Sequence, residues 1–305
     1  MKKLRIVYMG TPDFAVPSLR ILVENHYDIA AVITAPDKPK GRGQKLSQSP
    51  VKEYAQLAGL KIMQPNNLKD PEFQAELASL EANLQIVVAF RMLPEAVWSM
   101  PEIGTFNLHA SLLPQYRGAA PIHWAVMNGE TETGLTTFFL KHEIDTGSII
   151  MQEKEPISPS DTTGTVYNRL MDKGAELVLK TVEAIETGDY ELHQQNENQT
   201  LKHAPKLFKE NTELKWTEPA EKLYNYVRGL NPFPTAWAII NNKKYKIHES
   251  SIIDKDSTGE IGKLITDNKN HLHIQCNPGI LALKIIQPEG KKRMEVADFF
   301  RGNQL

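Results

Sequence analysis

Residues 84–109 read LQIVVAFRMLPEAVWSMPEIGTFNLH. The runs LQIVVAF at 84–90 and GTFNLH at 104–109 are short and apolar, as buried parallel strands are. Working outward, LRIVYM at 4–9 and DIAAVIT at 28–34 have the same character. Helical spacing falls between them. Asp13 to His26 carries Val16, Leu19, Leu22 and Val23 on one side, and Val51 to Ala58 and Asp70 to Leu80 predict two further helices. Strand and helix alternate, which predicts an α/β fold with a doubly wound, mainly parallel twisted sheet. Such sheets bind ligands outside the carboxyl ends of their strands.

Downstream, GLTTFFLK from residue 134 and SIIMQEKEP from 148 flank a turn-prone HEIDTG and predict an antiparallel addition. A long helix follows over Asp161 to Thr187, with Val166, Leu170, Leu177, Val178, Val182 and Ile185 at helical spacing and Gly188 as its stop. Residues 189–212 have few apolar positions and no sustained period, so a surface linker is expected there. After a helix over Pro219 to Gly229, the runs AWAIIN, KYKIHES, EIGKLIT, HLHIQC and ILALKIIQ predict a small β-barrel. The expected organisation is a catalytic domain over 1–188, a linker over 189–212 and a β-barrel domain over 213–305.

The chain has 305 residues and a net charge of -2, which argues against coating nucleic acid by bulk electrostatics. Up to residue 190 there are 18 basic and 23 acidic residues, and 17 and 14 after it, so the second part is mildly basic. One cysteine, Cys276, excludes an internal disulfide and multi-cysteine metal sites. The apolar run after the basic start meets Gly10 and Pro12 before reaching the roughly 7 to 15 residues of a secretory core, and no apolar stretch of about 18 residues occurs. A cytoplasmic protein is expected.

Gly10 ends the first strand, but GTPDFA is not G-x-G-x-x-G, so a nicotinamide dehydrogenase is disfavoured and Gly10 is read as a turn glycine. His271 and His273 share a strand face but lack a third ligand, so no metal is expected. Asn107 and His109 lie two apart near a strand's carboxyl end and point the same way. They suit either catalysis or satisfaction of backbone groups. Asp145, before Gly147, is the nearest acid to orient an imidazole, or else an ordinary turn residue. The connection APDKPKGRGQKLSQSP at 35–50 carries Lys38, Lys40, Arg42 and Lys45 against Asp37. It suits phosphate contact or a solvated surface.

Four ordered motifs resemble the folate-dependent formyltransferases, in particular the branch that acts on methionyl-tRNA: MGTPDFAVPSL at 9–19, PDKPKGRGQKL at 36–46, SLLPQYRGAAPI at 111–122 and DTG at 145–147. The resemblance implies a Rossmann-like catalytic domain followed by a barrel similar to an oligonucleotide-binding fold. It implies formyl transfer from 10-formyltetrahydrofolate, a cosubstrate, to the α-amino group of initiator methionyl-tRNA, with no metal required; separately, a monomer is expected. It carries over Asn107, His109 and Asp145 as the catalytic trio. Ser111, Leu112, Leu113 and Pro114 follow as a folate-binding loop, with backbone groups of Arg91, Met92 and Leu93 beside the pteridine. Arg42 is the leading tRNA contact, joined by Lys38, Lys40, Lys45 and Lys206. In this chemistry donors from Asn107 and His109 would stabilise charge on the formyl oxygen, and Asp145 would fix the imidazole tautomer. The rival readings are a folate enzyme with a small-amine acceptor and an RNA-binding module that has lost catalysis.

Overall fold

The computed structural model describes residues 3–40 and 45–305. In chain order its strands and helices are β1 (Arg5–Gly10), α1 (Val16–Glu24), β2 (Asp28–Ile33), β3 (Lys38–Lys40), β4 (Lys45–Ser47), α2 (Pro50–Leu57), β5 (Ile62–Met63), α3 (Pro71–Ser79), β6 (Leu84–Val88), α4 (Glu95–Trp98), β7 (Gly104–His109), β8 (Arg117–Gly118), α5 (Pro121–Met127), β9 (Glu132–Phe139) and β10 (Ile149–Pro156). There follow α6 (Thr163–Thr187), β11 (His203–Ala204), α7 (Ala220–Gly229), β12 (Ala236–Ile240), β13 (Lys243–Asp254), β14 (Leu264–Thr266), β15 (Leu272–Gln275), β16 (Ile280–Pro288), β17 (Met294–Glu295) and α8 (Val296–Phe300). They divide into two compact units that do not follow chain order. One is Met1–Arg117, Gly134–Glu155 and Asn168–Lys202, and the other is Gly118–Thr133, Pro156–Tyr167 and His203–Leu305.

The first unit is built on a seven-stranded sheet in the order β10-β9-β7-β6-β1-β2-β5. β1 pairs in parallel with both β2 and β6, β6 with β7, and β2 with β5, while β9 joins β7 antiparallel. Side-chain alternation along β1 feeds two faces. Val7 and Met9 pack with Ala31, Ile33, Val87, Phe73 and Leu77, and Ile6 and Tyr8 are fully buried on the other face. Burying one such aliphatic side chain contributes roughly 1.5–3 kcal/mol. The Arg5–Asp28 bridge at the start of β1 spans 2.7 Å, with side chains 43% and 36% exposed, and bridges of that kind contribute about 0–1 kcal/mol. Apolar burial therefore sets the register of β1.

Gly10 serves the turn expected of it. A Cβ there would lie 2.6 Å from that of Ala15 and 3.1 Å from the Val88 carbonyl oxygen. The helix expected from Asp13 starts with a 3-10 turn over Asp13–Ala15 and becomes α-helical at Val16, because Pro17, without an N–H, fits only a first helical turn. The basic connection contains an antiparallel ladder that periodicity did not predict: Lys38 opposes Ser47, Pro39 opposes Leu46 and Lys40 opposes Lys45. Three residues a side are too few to show a repeat. Asp37, the acid in that segment, pairs with Lys52 at 2.6 Å. The expected linker is exposed over most of its length, with Gln195, Ala204 and Thr212 buried.

The second unit holds an antiparallel sheet in the order β12-β13-β16-β15-β14, with β17 on β16. The twelve-residue β13 changes register against β16 at three places, and irregularities of that kind bend and twist a strand. Its core includes Ile247, Leu272, Ile274, Leu281, Leu283 and Phe299, and α7 covers it with Leu223 and Val227. α5 lies against α7 so closely that a Cβ on Gly229 would meet the Met127 backbone nitrogen at 2.8 Å. Burial pushes the Cys276 thiol up to about 11, so it serves packing rather than reactivity. Among the described residues no helix is long and apolar enough to cross a membrane.

Candidate active site

β7 positions the first two candidate residues. Hydrogen-bonded between β6 and β9, it places Asn107 opposite Val87 and Phe138, and His109 opposite Thr136, at its carboxyl end. Asn107 is half-buried and His109 is buried. The strand is held from both sides, so the two side chains share an orientation fixed by the sheet rather than by a loop.

The His109 ring meets an acceptor at each nitrogen. Nε2 lies 2.9 Å from the carbonyl oxygen of Tyr116, and Nδ1 lies 3.9 Å from Oδ2 of Asp145. The carbonyl cannot donate, so Nε2 carries the proton of the neutral ring and the lone pair is on Nδ1, facing the carboxylate. The Asp145 separation is within ion-pair range and longer than an N–H···O hydrogen bond. Both side chains are shielded from water, at 7% and 13% exposure, which strengthens any charge interaction between them. Asp145 itself adopts a left-handed conformation, φ 55°. Behind it the Thr146 hydroxyl donates to the Glu143 carbonyl, and Gly147 passes so close to β9 that a Cβ would fall 1.6 Å from the Phe139 carbonyl oxygen. No side chain fits there.

The Ser111–Pro114 loop leaves the sheet directly after His109, and its polar groups are largely engaged in holding its own shape. Ser111 Oγ donates to the Gln115 carbonyl, Thr136 Oγ1 donates to the Ser111 carbonyl and accepts from Leu113 N, and Gln152 Nε2 donates to the Leu113 carbonyl. Leu113 is buried with Phe138 and Ile149, Leu112 lies over Gly134, and the Leu113–Pro114 peptide is cis. In the segment after β6, the Arg91 guanidinium donates to the carbonyls of Pro65 and Asn66, Met92 is exposed and Leu93 packs against the core.

Of the basic candidates, Arg42 lies outside the described residues, as do the side chains of Lys40 and Lys45. Lys38 is exposed in the first unit, while Lys206 belongs to the second, where its ammonium sits 5.6 Å from the centre of the exposed Phe208 ring. The structure thus brings His109 and Asp145 together in one unit and puts Asn107 one strand step away. The Tyr116 carbonyl escaped sequence reasoning because a main-chain acceptor has no letter of its own. His271 and His273 stand with ring centres 4.7 Å apart, and no group of three metal-ligating side chains occurs among the described residues.

Comparison with known proteins gives concordant results. The family profile described as "Formyl transferase" matches residues 2–182, and that described as "Formyl transferase, C-terminal domain" matches 206–304. The chain is 51% identical over 315 aligned positions to a protein of Bacteroides fragilis named methionyl-tRNA formyltransferase, covering 100% of this chain and 97% of that one. A Flavobacterium johnsoniae protein of the same name is 49% identical, with 99% and 97% coverage. Among solved structures, an N-formyltransferase from Helicobacter canadensis, in complex with folinic acid and dTDP-3-aminofucose, superposes with a TM-score of 0.70 at 22% identity, covering 93% of this chain and 99% of that one. At that identity the likeness speaks to fold alone.

Proposed function

The chain belongs to the formyl transferase family, and from that premise we infer that it transfers the formyl group of 10-formyltetrahydrofolate to the α-amino group of initiator methionyl-tRNA. The observation that carries the choice of acceptor is the 51% identity, along the whole chain, to a protein named for that reaction. In this reading the enzyme acts as a monomer in the cytoplasm and needs no metal. Along the chain, catalysis is assigned to the domain over 1–188, the linker to 189–212 and tRNA binding to the domain over 213–305, with which 118–133 and 156–167 also pack.

The chemistry follows from what the side chains offer. A C–N bond forms between the methionyl nitrogen and the formyl carbon, the bond from that carbon to N10 of the folate breaks, one proton leaves the attacking amine and one arrives on N10. A free α-amino group has a pKa of about 7.7 to 8.0, so the neutral nucleophile is readily available near pH 7. Positioning and proton handling are then what the protein must supply. His109 has its Nε2 proton tied to the Tyr116 carbonyl, which leaves Nδ1 as a proton acceptor beside the Asp145 carboxylate. An amine entering there meets two acceptors, and the protonated ring, once formed, sits beside a negative charge. The Asn107 amide supplies a donor for the oxygen that gains charge as the formyl carbon becomes tetrahedral. The folate lies along Ser111, Leu112, Leu113 and Pro114 and the backbone of Arg91, Met92 and Leu93. The tRNA meets Arg42, Lys38, Lys40 and Lys45, with Lys206 as a second basic contact.

The test is direct. Purified protein, 10-formyltetrahydrofolate and methionyl-tRNA should yield N-formylmethionyl-tRNA, resolved by mass spectrometry of the released amino acid. Absence of product at micromolar enzyme, or equal rates with free methionine, would reject the assignment.

A further inference from the structure

Gln195 lies in the stretch read as a linker, yet it is buried, and its amide is completely used. Nε2 donates to the main-chain carbonyl of Asp145 at 2.8 Å and to that of Gly147 at 2.9 Å. Oε1 accepts from Nε and Nη2 of Arg117 at 3.1 and 2.6 Å. Two donors and two lone pairs are all that a glutamine amide has. The segment is seated by His193, which exchanges backbone hydrogen bonds with Ile149 at 2.8 and 2.9 Å and so brings Gln195 level with Gly147. Arg117 is held in turn by Glu197 at 2.8 Å.

What Gln195 joins gives it meaning. Arg117 directly follows Tyr116, whose carbonyl receives the Nε2 proton of His109, and Asp145 faces Nδ1 of the same ring. One amide therefore ties together the two loops that supply both partners of the imidazole. Its grip on the Asp145 and Gly147 carbonyls fixes the peptide planes of a turn whose central residue is left-handed, and with them the direction in which the carboxylate leaves the backbone. We propose that Gln195, clamped by Arg117, is a positioning residue for formyl transfer that keeps the Asp145 carboxylate in ion-pair reach of His109. The proposal rests on the catalytic reading of His109 and Asp145 given above.

Gln195→Leu and Gln195→Glu remove the two donors with little change of size. Each is expected to lower kcat about 10- to 100-fold while the KM values for folate and tRNA stay within about twofold, as loss of geometry at the reacting groups demands. The decisive measurement is a double-mutant cycle in single turnover with excess enzyme. Added to Asp145→Asn, Gln195→Leu should produce no further loss, because the residue acts through that carboxylate. A merely structural role would lower folded yield or melting temperature but leave kcat per folded molecule near that of the unaltered protein. Unchanged kcat in either variant overturns the proposal, and so does a Gln195→Leu factor that persists in full alongside Asp145→Asn. Should Gln195→Leu fail to fold, Gln195→Glu decides by the same two criteria. If Asp145→Asn alone proves as fast as the unaltered enzyme, it is the catalytic reading that falls.

Discussion

Asp145 holds a left-handed backbone conformation, which costs a non-glycine residue roughly 1–3 kcal/mol. The hydrogen bonds to the carbonyls of Asp145 and Gly147, each contributing about 0.5–1.5 kcal/mol, offset most of that. Asparagine tolerates the same conformation, so Asp145→Asn should fold and melt like the unaltered protein. Its kcat should nevertheless fall about 10²- to 10⁴-fold, and the pH dependence of kcat should change, because the charge beside His109 is gone. A stable variant with an unaltered pH-rate profile would show that the charge is idle. Arg42→Ala should raise the KM for tRNA and leave that for folate unchanged, with the salt dependence of tRNA binding reduced by about one unit of logarithmic slope. Equal slopes would mean that Arg42 touches no phosphate. The shared strand end of Asn107 and His109 was legible in the sequence from their two-residue spacing after an apolar run, whereas no spacing rule brought Asp145 to the ring. Gln195 was not legible, since it sits in a stretch with no period and its role depends on main-chain carbonyls brought to it by β10.

At the level of elements, β10 and α6 are joined by a buried charge. Glu155, on β10, meets Lys173 at 2.7 Å and also accepts from Arg169, one helical turn earlier on α6. Burial raises the Glu155 carboxyl, but the hydrogen bonds and charges of Lys173 and Arg169 outweigh it and hold the group below the usual carboxylate range. A depressed folded pKa means that the stabilisation is complete above the unfolded value of about 4.3 and is lost as pH falls through the lower folded one. Glu155→Gln should therefore destabilise at neutral pH, toward the lower end of roughly 1.5–3 kcal/mol because both cations are more than a third exposed. The difference from the unaltered protein should shrink as acid is added, which urea titrations at several pH values would measure. A difference that persists at low pH would assign the loss to packing. Six strands of the seven-stranded sheet were legible from their apolar runs within two residues, while the two-residue β5 and the β3–β4 ladder were too short to show one. The charged tie was not legible, because Glu155 and its cations lie on different elements with no spacing rule to connect them.

The whole molecule departs from chain order. Length and apolar patterning foretold an α/β portion followed by a β-rich one, and the family profiles end at 182 and begin again at 206. Yet 118–133 and 156–167 pack with the second unit, where Met127 of α5 belongs to the core and Trp124 packs against it. Local sequence carries no mark of which unit a connecting segment will join. A fragment of residues 206–305 should consequently bind a dye specific for exposed apolar surface and melt at lower temperature and less cooperatively than the same unit in the full chain. Supplying 118–133 on a flexible tether should raise its melting point, and a fragment that is already fully cooperative without it would contradict the role given to α5. The interleaving also sets a timetable for synthesis. α5 leaves the ribosome some 90 residues ahead of α7, which at about 5–20 residues per second leaves its apolar side waiting for about 5 to 20 s. During that interval the nascent polypeptide offers a sticky apolar segment, too short to hold a helix alone, to chaperones or to neighbouring chains on the same message.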